Sequence, residues 1–205
     1  MRDVLESKPP FKSGFRILKN EQEEHYLELD AVLRERRSMR KYQPDRKVSR
    51  EQVEEILKAA TLAPSWKNSQ TARYYVVMSD DMLKNVKETC LPSFNQTNCK
   101  DAPVLIVATF VKNRSGYDND GTPSNELGNG WGCYDLGMHN QNLLLKAKDL
   151  GLDTLVMGIR DAGKLRELLS IGEDQDVAAV IALGYGAADL QMPKRSTVQE
   201  IARFY

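Results

Sequence analysis

The stretch Pro103-Val104-Leu105-Ile106-Val107-Ala108-Thr109-Phe110-Val111 decides the fold, because apolar residues follow the proline almost without interruption. A continuous apolar run that is rich in β-branched side chains predicts a strand buried on both faces. Shorter runs of the same kind predict further strands at residues 74–78, 154–158 and 177–184. Residues 104–111 therefore predict the buried part of a sheet.

Helical patterns lie around the predicted strands. Ser49 and Gln52 form a capping-box pair ahead of an apolar stripe with helical spacing, which marks the start of a helix. Short helices are predicted around residues 29–38 and at residues 162–169. A long helix is predicted over residues 134–150, with the following residues facing inward: Leu136, Leu143, Leu144, Ala147 and Leu150.

Length and charge restrict the class of protein. The chain has 205 residues, with 29 Lys plus Arg and 29 Asp plus Glu. Its length predicts one domain, residues 29–205, after a polar N-terminal extension, residues 1–28. A net charge of zero argues against nucleic acid or an anionic membrane as partner. No run of about 18 apolar residues predicts a membrane helix, and no signal peptide is evident, so we expect a cytoplasmic protein.

Several common catalytic and metal-binding motifs are missing from the sequence. Cys90, Cys99 and Cys133 form no Cys-x-x-Cys pair and have no histidine cluster beside them, so no metal site or disulfide framework is predicted. The turn Gly184-Tyr185-Gly186 lacks the third glycine of a dinucleotide-binding fingerprint. No phosphate-binding loop, nucleophile elbow or His-Glu-x-x-His motif is present, which argues against the usual kinase and hydrolase classes.

One candidate binding group is basic. If the first helix continues through Arg36 and Arg40, their side chains lie on one side of it, and arginine binds phosphate oxygens with two parallel hydrogen bonds. The alternative is an ordinary solvated surface. The basic group comprises Arg34, Arg36, Arg37, Ser38, Arg40 and Lys41, with Lys194 and Arg195 in the C-terminal tail.

The second candidate group is the carboxamide segment, residues 64–70, with the sequence Pro64-Ser65-Trp66-Lys67-Asn68-Ser69-Gln70. The side-chain amides of Asn68 and Gln70 both donate and accept hydrogen bonds, as recognition of a heteroaromatic ring edge or a polyol requires. The alternative is a polar turn that connects a helix to a strand.

Together and in this order, the motifs resemble those of the nitroreductase family, whose members bind flavin mononucleotide (FMN). The resemblance covers about residues 29–205 and implies an α+β fold, in which a central, mostly antiparallel sheet is flanked by helices in an intertwined homodimer. The matching motifs are Arg36-Arg37-Ser38-Met39-Arg40 with Tyr42 and Pro44, Ala63 with the carboxamide segment, Asp101-Ala102-Pro103, Gln141-Asn142-Leu143, Gly151-Leu152-Asp153, Met157-Gly158 and Arg195.

The resemblance also implies how FMN is bound. Arginines and Ser38 would face the phosphate and ribityl chain, and the carboxamide segment would face the flavin of the partner subunit. Backbone groups of Met157 and Gly158 would lie beside the reactive ring nitrogen. The implied cofactor-binding residues are Arg36, Arg37, Ser38, Arg40, Pro64, Ser65, Asn68, Gln70, Met157, Gly158 and Arg195.

The function implied by the resemblance is the transfer of electrons from NAD(P)H to a small planar acceptor, such as a nitroaromatic or a quinone, by a ping-pong mechanism. A flavin carries the hydride and electron chemistry, so no side-chain nucleophile or acid–base pair is required. Two alternatives are a flavin-dependent dehydrogenase or dehalogenase of one specific metabolite, and a flavin-binding sensor or carrier without turnover.

The segment at residues 118–132 predicts a long loop, because Asp, Asn and Gly dominate it. Trp131 lies within the loop, and Tyr117 and Tyr134 border it. Aromatic side chains stack on planar ligands, so we expect this loop to select the acceptor while leaving cofactor binding unchanged.

Overall fold

The computed structural model describes residues 28–205 of the chain. Its elements are α1 (Leu29–Glu35), α2 (Arg50–Thr61), β1 (Ala72–Val77), α3 (Asp80–Cys90), α4 (Ser93–Asn98), β2 (Val104–Val111), α5 (Gly130–Asp149), β3 (Asp153–Met157), α6 (Ala162–Leu169), β4 (Gln175–Gly184) and α7 (Val198–Ile201). The strands form one sheet in the order β1-β2-β4-β3, with all neighbours antiparallel. The predicted α+β class with a mostly antiparallel sheet is confirmed.

The division into an extension and a domain stays a prediction. Residues 1–27 of the proposed extension lie outside the described residues, and so does His25.

Strand β2 lies between β1 and β4 and is buried on both faces, as its sequence predicts. Ile106 and Phe110 pack on one face against α2 and α5. Leu105 and Val107 pack on the opposite face, in the cluster that includes residues of α3 and α6. The sheet is therefore covered on both sides, which explains why β2 has an almost continuous apolar sequence instead of an alternating one.

One extra residue interrupts the pairing of β4 with β2. The pairing moves from Ala179 directly to Val177, so Ala178 has no residue opposite it. Side chains alternate between the faces of a regular strand, and the bulge resets that alternation. Val177 and Val180, three positions apart, consequently bury in the same apolar cluster.

Helices α2 and α5 form one layer on the sheet. The predicted capping box at the start of α2 is confirmed: the Ser49 hydroxyl accepts from the Gln52 N–H at 3.2 Å, and the Gln52 side chain accepts from the Ser49 N–H at 3.0 Å. The predicted inward face of α5 is also confirmed. Leu136, Leu143 and Ala147 are buried there, and the half-buried Leu144 and Leu150 pack against the same cluster.

The predicted loop at residues 118–132 is wrong at its end, because α5 begins at Gly130 instead of near Tyr134. Gly132 lies in the first turn of α5, where the helix approaches β2 closely. A Cβ atom on Gly132 would lie 2.4 Å from Cδ2 of Phe110. The glycines that indicate a loop in the sequence instead allow the helix to contact the strand.

Helices α3, α4 and α6 lie on the other side of the sheet. Helix α6 has the predicted bounds, whereas α3 and α4 are absent from the elements predicted above. Leu83, Val86 and Cys90 form the buried stripe of α3. Within residues 28–205, no helix has both the length and the apolar character needed to cross a membrane.

Two glycines of α5 provide a test of the contact between this helix and β2. We expect Gly132→Ala to lower the free energy of unfolding by about 1–3 kcal/mol, because Phe110 must move. Gly137 is the matched control, since a Cβ atom there meets nothing within 4 Å in the chain. Gly137→Ala should stabilise the helix by about 0.5–1 kcal/mol. Urea unfolding of both variants measures the difference, and equal effects would contradict the proposed contact.

Candidate functional site

The first predicted binding group begins with Arg34 in the last turn of α1, and its other members follow the helix, which ends at Glu35. Arg36 is the C-terminal cap of α1, and its N–H donates to the Val32 carbonyl at 3.0 Å before the chain becomes extended. Arg36 and Arg40 therefore do not share one side of a helix, because the condition for that, a helix that continues through both, is not met. The extended chain instead lies beside β3, where Ser38 forms a parallel bridge with Thr154.

Three guanidinium groups form the arginine cluster: Arg36, Arg37 and Arg195. Partial burial lowers the pKa of Arg36, and the positive charges of Arg195 and Arg37 lower it further. None of the three forms an ion pair with a carboxylate within the described part of the chain. Their charges consequently repel one another without internal compensation, a condition that favours binding of an anion such as phosphate.

Ser38 and Arg40 lie in the same extended stretch, and both are exposed. The Arg40 side chain donates to the Ser38 carbonyl at 3.1 Å. Arg37 donates to the Arg36 carbonyl, and the Nε of Arg37 is buried without a hydrogen-bond partner among residues 28–205. The stretch therefore places hydroxyl and guanidinium groups near the arginine cluster.

The carboxamide segment contains one turn of 3₁₀ helix, Trp66–Asn68. Lys67, Asn68 and Gln70 have φ angles of 46°, 54° and 49°, in the left-handed region that residues other than glycine seldom adopt. The Ser65 hydroxyl accepts from the Gln70 N–H at 3.0 Å, and the Gln70 side chain donates to Asn68 Oδ1 at 3.2 Å. The two exposed carboxamides are thus held next to each other.

An aromatic group connects the carboxamide segment with the first turns of α5. The rings of Trp66 and Trp131 lie 4.7 Å apart between centroids, and Tyr134 contacts Trp131 edge-on at 5.6 Å. Asn125 Oδ1 accepts from the Trp131 indole N–H at 2.9 Å. Tyr134 is 61% exposed, so it offers an aromatic surface to solvent. The contribution of Trp66 to this group was not predicted.

The end of β3 provides the third element of the predicted site. Met157 is buried and Gly158 is exposed. The turn that follows is held by the other helical layer, because Asn95 donates its amide to the Ile159 carbonyl at 2.9 Å. Asn95 is buried in α4 and was not predicted as a site residue, since a lone asparagine in the sequence gives no sign of a distant backbone partner.

The carboxamide segment and the arginine cluster are anchored at opposite corners of the sheet. The carboxamide segment enters β1 at Ala72, which pairs with Phe110 near the end of β2. Ser38 bridges Thr154, which belongs to the opposite end of the sheet, where β2 starts at Val104. Strand spacing puts these corners about 14 Å apart across the sheet and about 20 Å apart along it. A single chain therefore separates the two predicted binding groups.

Comparison with known proteins identifies the family of this chain. The model of the nitroreductase family matches residues 33–185. The chain belongs to the nitroreductase family. A protein of Archaeoglobus fulgidus, provisionally named an NADH dehydrogenase/NAD(P)H nitroreductase, is 36% identical over 155 residues, which are 73% of this chain and 80% of that protein.

Solved structures share the fold of this nitroreductase-family chain. A provisionally named nitroreductase from Exiguobacterium sibiricum, solved in complex with FMN, aligns with a TM-score of 0.77 at 21% identity over 87% of this chain and 98% of that one. A provisionally named NAD(P)H:FMN oxidoreductase from Staphylococcus epidermidis aligns with a TM-score of 0.77 at 23% identity, over 88% and 98% of the two chains. These likenesses confirm the fold.

Proposed function

We propose that the protein is an FMN-dependent oxidoreductase that uses NAD(P)H to reduce small planar acceptors such as nitroaromatics or quinones. The observation that carries the proposal is the uncompensated positive charge of the arginine cluster, next to the strand that ends at Met157. Membership of the nitroreductase family and the name of the Archaeoglobus relative support the same activity. When bound, FMN supplies hydride and electron transfer between NAD(P)H and the acceptor.

The residues present suit this cofactor. A phosphate carries negative charge and several acceptor oxygens, which match Arg36, Arg37 and Arg195 with the exposed Ser38 and Arg40 nearby. The paired carboxamides of the carboxamide segment offer both donors and acceptors, which match the polar edge of a flavin ring or its ribityl chain. In the proposal, Pro64 and Ser65 shape this segment, and the backbone at Met157 and Gly158 lies beside the ring.

We also propose that two copies of the chain form the complete site. The opposite-corner placement of the two binding groups supports a dimer, since each flavin would then contact the arginine cluster of one chain and the carboxamide segment of the other. The C-terminal residues support it as well. Val198, Ile201 and Phe204 are 55%, 75% and 85% exposed, and a partner subunit would bury this apolar surface.

The loop before α5 is proposed to select the acceptor. Asp118 of this loop accepts from Lys67 of the carboxamide segment at 3.3 Å, and Tyr134 presents its ring to solvent beside Trp131. The acceptor would consequently meet aromatic surface where the loop and the carboxamide segment adjoin. A cytoplasmic location is part of the proposal, and the free thiols of Cys90, Cys99 and Cys133 support it.

The visible spectrum of the purified protein, before and after anaerobic addition of NADH or NADPH, tests the activity. Flavin absorbance that disappears with a nicotinamide and returns when a nitroaromatic or quinone is added would support the proposal. Bound flavin that no nicotinamide reduces would favour a sensor or carrier. Reoxidation by one narrow class of metabolite alone would favour the specific dehydrogenase or dehalogenase.

Removal of a guanidinium tests the phosphate contact. Arg195→Ala and Arg36→Ala should each weaken FMN binding by about 1.5–3 kcal/mol, because a charge-assisted hydrogen bond is lost. The loss should be smaller at high salt, which screens the charge. FMN fluorescence titration measures the effect. Arg50→Ala is the control, because Arg50 is exposed and its ion pair is with Glu54, one turn further along α2. Unchanged affinity in both cluster variants would contradict the phosphate contact.

Mixed dimers test whether the site is shared. Homodimers of Arg195→Ala, and homodimers of the double variant Asn68→Ala/Gln70→Ala, should both bind FMN weakly. A mixed dimer of the two should regain one intact site, because one chain keeps its arginines and the other keeps its carboxamides. Co-expression with two affinity tags isolates the mixed dimer. Failure to regain tight binding in that dimer would show that each site belongs to one chain.

A substitution at Tyr134 tests acceptor selection. Tyr134→Ala should change the ratio of kcat/KM between nitroaromatic and quinone acceptors several-fold, because it removes an exposed ring. Flavin content and the rate of reduction by NAD(P)H should remain close to those of the unsubstituted protein. Steady-state assays with two acceptors and stopped-flow reduction measure the two effects. Identical acceptor ratios would mean that the ring takes no part in selection.

A further inference from the structure

A buried carboxylate lies beneath the carboxamide segment. Asp135 belongs to α5 and is 2% exposed. Its Oδ2 atom accepts two hydrogen bonds, from the Trp66 backbone N–H at 3.0 Å and from the Ser115 hydroxyl at 2.6 Å. The long helix is therefore joined directly to the backbone of the segment that carries Asn68 and Gln70.

Hydroxyl groups extend this connection to the other end of the segment. Ser115 is buried, and its Oγ lies 2.6 Å from Ser69 Oγ and 3.3 Å from Thr71 Oγ1. The carboxylate of Asp135 accepts from Ser115, so the Ser115 oxygen remains available to accept from Ser69. The segment is consequently held at Trp66 and at Ser69, on both sides of Lys67 and Asn68.

The conformation held in this way is an unfavourable one. Lys67, Asn68 and Gln70 all have left-handed φ angles, and none of them is glycine. Side chains with a Cβ atom persist in this region only where the surrounding structure imposes it. The contacts of Asp135 and Ser115 enclose the first two of these residues, and the Ser65 hydroxyl holds the N–H of the third.

The charge of Asp135 has no ionic compensation in the structure. No lysine or arginine among residues 28–205 forms an ion pair with it. His139 lies one turn later on α5; burial lowers its pKa although the nearby Asp135 carboxylate acts to raise it, and neither of its ring nitrogens has a hydrogen-bond partner in the described chain. A buried carboxylate is costly unless hydrogen bonds satisfy it. The two donors that offset this cost for Asp135 are the Trp66 N–H, in the carboxamide segment, and the Ser115 hydroxyl, which contacts Ser69 of that segment.

We infer that Asp135, acting through Ser115 and the Trp66 N–H, is a positioning residue that holds the carboxamide segment in its left-handed conformation and thereby presents Asn68 and Gln70 to the flavin. The last step rests on the proposed function. Asp135 touches neither cofactor nor substrate, and its effect on binding passes through the segment.

Hydrogen exchange and FMN titration test this role together. In Asp135→Ala, the amides of residues 65–70 should exchange at least about tenfold faster, and the Kd for FMN should rise at least about tenfold, because both anchoring hydrogen bonds are lost. Asp135→Asn should restore most of both properties, since its side-chain oxygen can accept both hydrogen bonds. A role of Asp135 in overall stability alone would leave these amides protected at temperatures well below Tm.

Two further variants complete the design. Tyr74→Phe is the matched control, because it removes a hydrogen bond between β1 and the same helix, from Tyr74 to Asn140 at 3.0 Å, without touching the segment. Ser115→Ala removes the connection to Ser69 but keeps that to Trp66, so its effect should lie between those of Tyr74→Phe and Asp135→Ala. It also serves as the decisive variant if Asp135→Ala does not fold.

The outcomes separate this inference from the proposed function. Unchanged exchange at residues 65–70 in Asp135→Ala or, if that variant does not fold, in Ser115→Ala would overturn the positioning role. An equal acceleration of exchange at these residues in the control Tyr74→Phe would also overturn it. If the unsubstituted protein binds no FMN, the proposed function fails, while the exchange comparison still decides whether Asp135 holds the segment. If the variant binds FMN with an unchanged Kd while the amides of residues 65–70 exchange faster, the link between the segment and the flavin is overturned.

Discussion

The burial of β2 between two helical layers is the constraint on which the other features depend. The alternate side chains of β2 fill two different apolar clusters, so a shift of register would disrupt the packing of both, and β1 and β4 have fixed positions beside it. That register sets the corner at which the carboxamide segment enters β1. It also sets, through β4, the corner at which Ser38 joins β3. The distance between the two binding groups thus follows from the core of the sheet.

Features that depend on neighbouring residues were accessible from the sequence. The unbroken apolar run predicts β2, and the Ser49 and Gln52 pair predicts the start of α2, because both signals arise within a few residues. The arginines and carboxamides could be proposed as binding groups from their chemistry. Their separation within one chain was implied by the family resemblance alone, since it depends on strand order, which these short-range patterns leave open.

Features that depend on distant contacts were predicted poorly or not at all. The glycines at residues 130–132 indicate a loop locally, but packing against Phe110 makes the same residues part of a helix. Helix α1 stops at Glu35 because the following residues pair with β3, a partner more than a hundred positions away in the sequence. Asp135 and Asn95 gave no signal for the same reason, since each is defined by a backbone partner on another element.

The C-terminal segment has a consequence for how the protein would behave on dilution. Residues 191–201 are exposed throughout, yet Arg195 within them contributes charge to the arginine cluster. If a second chain covers this segment, the position of Arg195 is fixed only in paired chains, and mass action sets the fraction of chains that are paired. Cofactor retention and assembly would then be one coupled equilibrium, so that a dilute sample would release its flavin as it dissociates and a concentrated one would retain it.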